Sequence, residues 1–177
     1  AEESLATYLD VTLNQRMDPD LLLHRLQAVL VDGFSVYSVK EVPLKAPSLM
    51  SQVTGMEYCI YIPAEEGEIS KEVNRLLGME TIEVSRKAKK KKRRRPAMRI
   101  IDMRPHITKL EIGSPQGWEP QEGWTVLQAR LDRVGERGMR PSELTGLLGY
   151  DISFCRVIRT RTLFNGKSIA PAAGMSA

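Results

Sequence analysis

Leu5, Thr7, Leu9, Val11 and Leu13 fall on one side of an alternation whose other side holds Tyr8, Asp10 and Thr12, the period-two pattern of a half-buried strand. Asp18-Pro19 supplies a cap and a first-turn proline, and Leu22, Leu26, Val29 and Leu30 recur at helical spacing, so a helix is expected from about Pro19 to Leu30. Asp32-Gly33 ends it. Phe34 to Val42 is rich in β-branched and aromatic residues, and the first 42 residues therefore read as one βαβ unit. Pro43 to Thr54, with two prolines four apart, breaks the pattern and reads as a stiff connector anchored by Leu44, Leu49 and Met50. The pattern then restarts. Met56, Tyr58, Ile60 and Ile62 alternate as a strand, Ile69, Val73, Leu76 and Leu77 suit a short helix closed by Gly78, and Thr81 to Ser85 form a strand. Ile100-Ile101, Ile107 to Ile112 and Trp124 to Arg130 are further strands, the last after a turn-rich loop from Gly113 to Gly123. Pro141 to Leu148 is a short helix with Ser142 and Glu143 in its first turn, Ile152 to Arg161 is the last strand, and the tail frays.

The class is α+β. Residues 1–42 form the βαβ half of a ferredoxin-like domain, 43–55 the Pro-containing connector, 56–164 a ferredoxin-like α+β domain in the order β-α-β-β-β-α-β, and 165–177 a disordered tail. Two strands and a helix cannot cover both faces of their own sheet, so the first unit either packs on the second or completes a domain whose other half is absent here. We favour the absent half. The start at Ala1 rather than Met suits a fragment or a processed product.

With 177 residues the chain is long enough for one or two compact units and needs no disulfide or structural metal to hold a core. Cys59 and Cys155 are the only cysteines, far apart, which suits a reducing compartment and excludes a zinc ribbon. No apolar run reaches the ~20 residues of a membrane span. Charge changes the picture more. The formal net charge is +4, and nine of the ten residues from Arg86 to Arg95 are basic, which leaves 17 basic against 22 acidic side chains elsewhere. The excess positive charge therefore sits in one arm, residues 86–99, made of Arg86, Lys87, Lys89, Lys90, Lys91, Lys92, Arg93, Arg94 and Arg95 and extended by Arg99. Such a run is expected to be extended and solvated and to grip a polyanion; the plain alternative is a charged loop without a partner. It offers affinity and no base reading.

Four stretches, TYLDVTL at Thr7 to Leu13, VPLKAPSLM at Val42 to Met50, IDMRPHI at Ile101 to Ile107 and RTRTLF at Arg159 to Phe164, occur in this order with the basic stretch before the third. Together they resemble the radical-SAM-linked domain family of unknown function, whose members are encoded beside, or fused C-terminal to, a B12-binding-type radical-SAM protein in bacteria, cyanobacteria and plastids. The resemblance covers nearly the whole chain up to Phe164, and VPLKAPSLM is its most specific part. It implies a further strand–helix–strand portion ahead of YLDV, and a partner or parent that carries a 4Fe-4S cluster and SAM. This chain has no set of three closely spaced cysteines and is expected to hold no cofactor itself. The location implied is bacterial cytoplasm or plastid stroma.

Other candidates are weaker. Tyr37, Tyr58, Tyr61, Trp118 and Trp124 could stack on bases, but Tyr58 and Trp124 alternate with core positions, so Trp118, in its Gly/Pro loop, is the one with little core to fill. Lys45, Arg104 and Trp118 are candidate anion or partner contacts. Alternation would put Asp102, Arg104 and His106 on one side of a strand, either as an acid/base set or, more plainly, as an ion pair with a surface histidine. His24 lies on a solvated helix flank. No catalytic or metal motif is present. The expected function is a non-catalytic RNA-binding auxiliary module of a radical-SAM enzyme in RNA modification, with RNA and the radical-SAM protein, in cis or in trans, as partners and no membrane. The alternative is a protein-docking or assembly domain with an incidental basic loop.

Overall fold

A computed structural model describes residues 2–87, 98–135, 137–165 and 167–168. The elements are β1 (Glu2–Ser4), α1 (Pro19–Val29), α2 (Leu49–Gln52), β2 (Val53–Ile62), α3 (Glu66–Leu77), β3 (Glu83–Lys87), β4 (Met98–Asp102), β5 (Ile107–Ile112), β6 (Thr125–Asp132), α4 (Pro141–Leu147), β7 (Arg156–Phe164) and β8 (Lys167–Ser168). The chain is α+β, built on a mixed sheet in the order β1-β7-β2-β6-β5, with β8 joined to β7. β1 runs parallel to β7, and the other pairs are antiparallel.

β2 is central and apolar on both sides. Tyr58, Ile60 and Ile62 face the layer that holds Ile69, Val73 and Leu76 of α3 and Leu144 of α4, which is the main core. Cys59 and Tyr61 face the other way into a smaller core with Val126 and Ile158, closed by Leu5, Trp118 and Trp124. A strand buried on both faces reads as a continuous apolar run, as CIYI does. α3 stops at Gly78, and the Arg104 guanidinium donates to the carbonyls of Leu77 (3.3 Å) and Met79 (3.2 Å), serving acceptors that the helix end leaves unpaired.

Several expected strands differ. β3 and β4 are not in the main sheet but form their own two-stranded ribbon, from Glu83 opposite Asp102 to Lys87 opposite Met98, with Val84 and Ile101 packed on the main core. DMRPH is not a continuous strand, because β4 ends at its first residue, Asp102. Pro105 cannot donate to a ladder, and Arg104–His106 is a 3-10 turn that separates β4 from β5. Asp151 likewise caps a 3-10 turn over Ile152–Phe154, so β7 begins at Arg156. The connector holds the helical turn α2, whose Leu49 N–H donates to the Asp10 carboxylate (2.8 Å), and β2 begins at Val53. Of the three anchors only Leu49 is partly buried; Leu44 is 96% exposed.

The largest difference lies at the start. Leu5–Leu13 and Phe34–Val42 form no ladder among the described residues; β1 alone pairs, and Leu5 N–H follows it onto Arg159 O (2.9 Å). α1 forms as expected, its Asp18 cap accepting from the N–H groups of Asp20 and Leu21, yet none of its residues is buried. Alternation makes a segment fit for a sheet, but a strand also needs a neighbouring edge. In the tail, β8 covers Lys167–Ser168, and the expectation for 169–177 lies outside the described residues.

Candidate nucleic-acid interface

The basic run is the connection between two paired strands. β3 ends in Arg86 and Lys87, β4 begins with Met98 and Arg99, and Arg86 lies opposite Arg99 in the register. Lys87 and Arg99 are exposed, as are Met98 (60%) and Ile100 (62%). Lys89, Lys90, Lys91, Lys92, Arg93, Arg94 and Arg95 lie outside the described residues.

Arg86 does not belong to a solvated arm. Its Nε donates to Glu143 Oε1 (2.6 Å), its Nη2 to Glu143 Oε2 and to Gly138 O (2.7 Å), and the pair is mostly buried. Glu143 does two jobs, since it also accepts the N–H of Arg140 (2.9 Å) at the start of α4. Burial raises the Glu143 carboxyl, but the Arg86 and Arg140 hydrogen bonds outweigh it and hold the group below its ordinary range. A bidentate guanidinium–carboxylate pair one residue before the end of β3 ties the ribbon to α4 where the basic run begins. Arg86 is therefore an anchor, and the charges that remain for a polyanion begin at Lys87. The acid in the first turn of α4 was visible in the sequence; its partner 57 residues away was not.

The other candidates are not brought together. Arg104 is occupied by the carbonyls of Leu77, Met79 and Ile107 and is not an anion site. Lys45 is exposed in a turn closed by Ala46 N–H to Pro43 O (2.8 Å). Trp118 does have a core to fill: its ring lies edge-on to Tyr61 (4.9 Å) and Trp124 (5.5 Å), with the Arg156 guanidinium 4.8 Å from its centre. Tyr61 and Tyr58 are buried, which removes them as platforms. The expected surface histidine, His106, is 3% exposed, and its Nδ1–H donates to the Asp132 carbonyl (2.9 Å). Asp102 Oδ1 accepts from Ile82 N–H (2.8 Å) and Arg104 N–H (3.0 Å), which lowers its pKa and ties the foot of the ribbon. Asp102 is thus a backbone clasp rather than half of an acid/base pair.

A groove of about 160 Å³ on the face away from the helices is lined by Glu57, Cys59, Lys109, Arg130 and Arg161, among others. Each cation there has its own carboxylate: Lys109 with Glu111 (2.7 Å), Arg130 with Asp132 (2.9 Å), Arg161 with Glu57 (3.4 Å). It has no surplus of charge for a phosphate chain. Among the described residues no group of three or more His, Cys, Asp or Glu could hold a metal ion, and no helix is long and apolar enough to cross a membrane.

The family described as "Uncharacterized protein conserved in bacteria (DUF2344)" matches residues 2–141. The chain belongs to that family. The DUF2344 match takes in β1 through the first residue of α4, and so both strands of the ribbon and the whole basic run. No curated protein and no solved structure was found to match the chain.

Proposed function

We propose that this member of DUF2344 is a non-catalytic RNA-binding module, and that the basic run between β3 and β4 is its phosphate grip. The observation that carries the reading is the contrast between nine basic residues in ten and an otherwise acidic body, with the run following a strand whose end is tied to α4 by Arg86 and Glu143. Strand order supports reading residues 53–164 as a ferredoxin-like unit. With the ribbon set aside, the connectivity is β2-α3-β5-β6-α4-β7 and the sheet runs β7-β2-β6-β5. The ribbon is then an insertion between the first helix and the second strand of that unit. Association with a radical-SAM enzyme that modifies the RNA, in bacterial cytoplasm or plastid stroma, rests on the motif resemblance, and any 4Fe-4S cluster or SAM belongs to that partner or parent.

The test is binding of a fluorescein-labelled single-stranded RNA. If about five phosphates are engaged, affinity falls roughly a hundred-fold between 50 and 200 mM salt. Replacing Lys89 to Arg95 by Ser and Gly abolishes that salt-dependent binding while the thermal melt is kept. RNA affinity that ignores salt, or that survives the replacement, would falsify the reading.

A further inference from the structure

The sheet register lines up charge across four strands. Lys109 of β5 lies opposite Arg130 of β6, Arg130 opposite Glu57 of β2, and Glu57 opposite Arg161 of β7. Neighbours in such a row stand roughly 5 Å apart, and the order is cation, cation, carboxylate, cation. All four residues line the groove of about 160 Å³ on the face opposite α3 and α4. Cys59, 1% exposed, lies at its floor, and Gln116 and Gln128 add two amides.

The wall of the groove is tied down. Gln128 Nε2 donates to Ser114 O (3.1 Å), and the Tyr61 hydroxyl holds both the N–H and the carbonyl of Gln116, which fixes the loop beside β6. The ion pairs are open to water instead. Lys109 and Glu111 are each about half exposed, and Arg161, 59% exposed, meets Glu57 only at 3.4 Å. Exposed pairs contribute little net, so a ligand that offers equivalent hydrogen bonds displaces them at small cost.

Balanced charge disfavours a phosphate chain here but suits a neutral group dense in donors and acceptors. The edge of an unpaired base is such a group. The basic run grips phosphates without reading sequence, so base selection needs a second site. Along the edge of guanine, the 2-amino group, N1–H, O6 and N7 run donor, donor, acceptor, acceptor. Along the row, Glu57, Arg130 and Lys109 run acceptor, donor, donor. The two orders are complementary. Adenine sets an amino donor where guanine has O6, and the pyrimidines offer a carboxylate only one donor nitrogen.

We propose that this groove is a guanine subsite, in which Glu57 accepts from N1 and the 2-amino group while Arg130 and Lys109 donate to O6 and N7. It rests on RNA as the partner of the basic run, to which it adds a preference for one base.

Two measurements on the full chain separate groove from run. Free guanosine carries no phosphate; titrated against isotope-labelled protein it shifts the amide resonances of Cys59, Gln128 and Arg130, and adenosine, cytidine and uridine do not. Placing one guanosine in a fluorescein-labelled uridine strand tightens binding ~10-fold, the scale of a bidentate base contact. Inosine, which lacks the 2-amino group, loses part of that gain. Glu57→Gln removes the guanosine shifts and brings the two strands to the same affinity. Lys109→Met, at an exposed edge position, weakens both effects and serves as the second variant, with the near-ultraviolet signal of Trp118 and Trp124 reporting that each variant is folded. Absence of the guanosine shifts, or a guanosine preference that survives both substitutions, overturns the proposal. Salt-dependent RNA binding without a guanosine preference removes this subsite and leaves the phosphate grip; guanosine shifts without RNA binding remove the grip and leave the subsite.

Discussion

Burial pushes the Cys155 thiol up to about 11, with the Asp151 charge adding to it, and burial also raises Cys59 against the opposing Gln116 backbone contact. Both side chains are thiols rather than thiolates at neutral pH, and both are buried. Neither should react with a disulfide reagent in the native protein, and both should react in urea; a fast native reaction at Cys59 would mean that the loop above it opens. That loop is tied by Tyr61, whose hydroxyl donates to Gln116 O (2.9 Å) and accepts Gln116 N–H (2.8 Å), and it turns at Gly117, φ +80°. The positive φ favours glycine at 117, and a Cβ there would stand 3.1 Å from Leu5 Cδ1, a tight approach that the leucine side chain would have to relieve. Trp118→Ala should cost about 2–3 kcal/mol, read as a lower urea midpoint, and leave RNA affinity unchanged. In sequence Trp118 looked superfluous because a loop's composition reports its backbone and says nothing of the sheet face beneath it.

The end of β3 is held by the Glu143 carboxylate, as its foot is by Asp102. Glu143→Gln removes the charge that Arg86 needs and weakens the tie to Arg140, and should destabilise the fold by about 1–2 kcal/mol, the scale of a charge-assisted hydrogen bond. The pH dependence has a definite sign. Because the folded Glu143 titrates below its unfolded counterpart, its contribution is complete above the ordinary glutamate value of about 4.3 and disappears as pH falls through the lower folded value. The gap in melting temperature between wild type and E143Q should therefore be full at pH 7 and shrink below about pH 4; a gap constant down to pH 3 would remove Glu143 as the lock. Element identity was legible where periodicity and caps agreed, as in α3 with its Ile69, Val73 and Leu76 face and its stop at Gly78. It failed for Leu5–Leu13, where the pattern was equally clean but no edge lies alongside.

At the scale of the whole chain, the positive charge is concentrated in one segment of an otherwise acidic sequence. Replacing Lys89 to Arg95 takes seven positive charges from a chain of formal net charge +4 and leaves −3, so the variant should pass through a cation exchanger that retains the wild type at neutral pH. Retention of the variant would mean that other cations, such as Lys87 and Arg99, carry the surface field. By itself the sequence determined whatever is local: the helices, the central strands, the caps at Asp18 and Gly78, and the ten-residue block of charge. Those follow from neighbours a few residues apart, which a reader of the chain can see. Only the tertiary structure decided that β3 and β4 leave the main sheet, that Arg86 is held by Glu143, that His106 is buried and that Trp118 roofs a second core. Alternation tells a strand which face to bury but not which edge to join, and an ion pair across 57 residues exists only once the chain has folded.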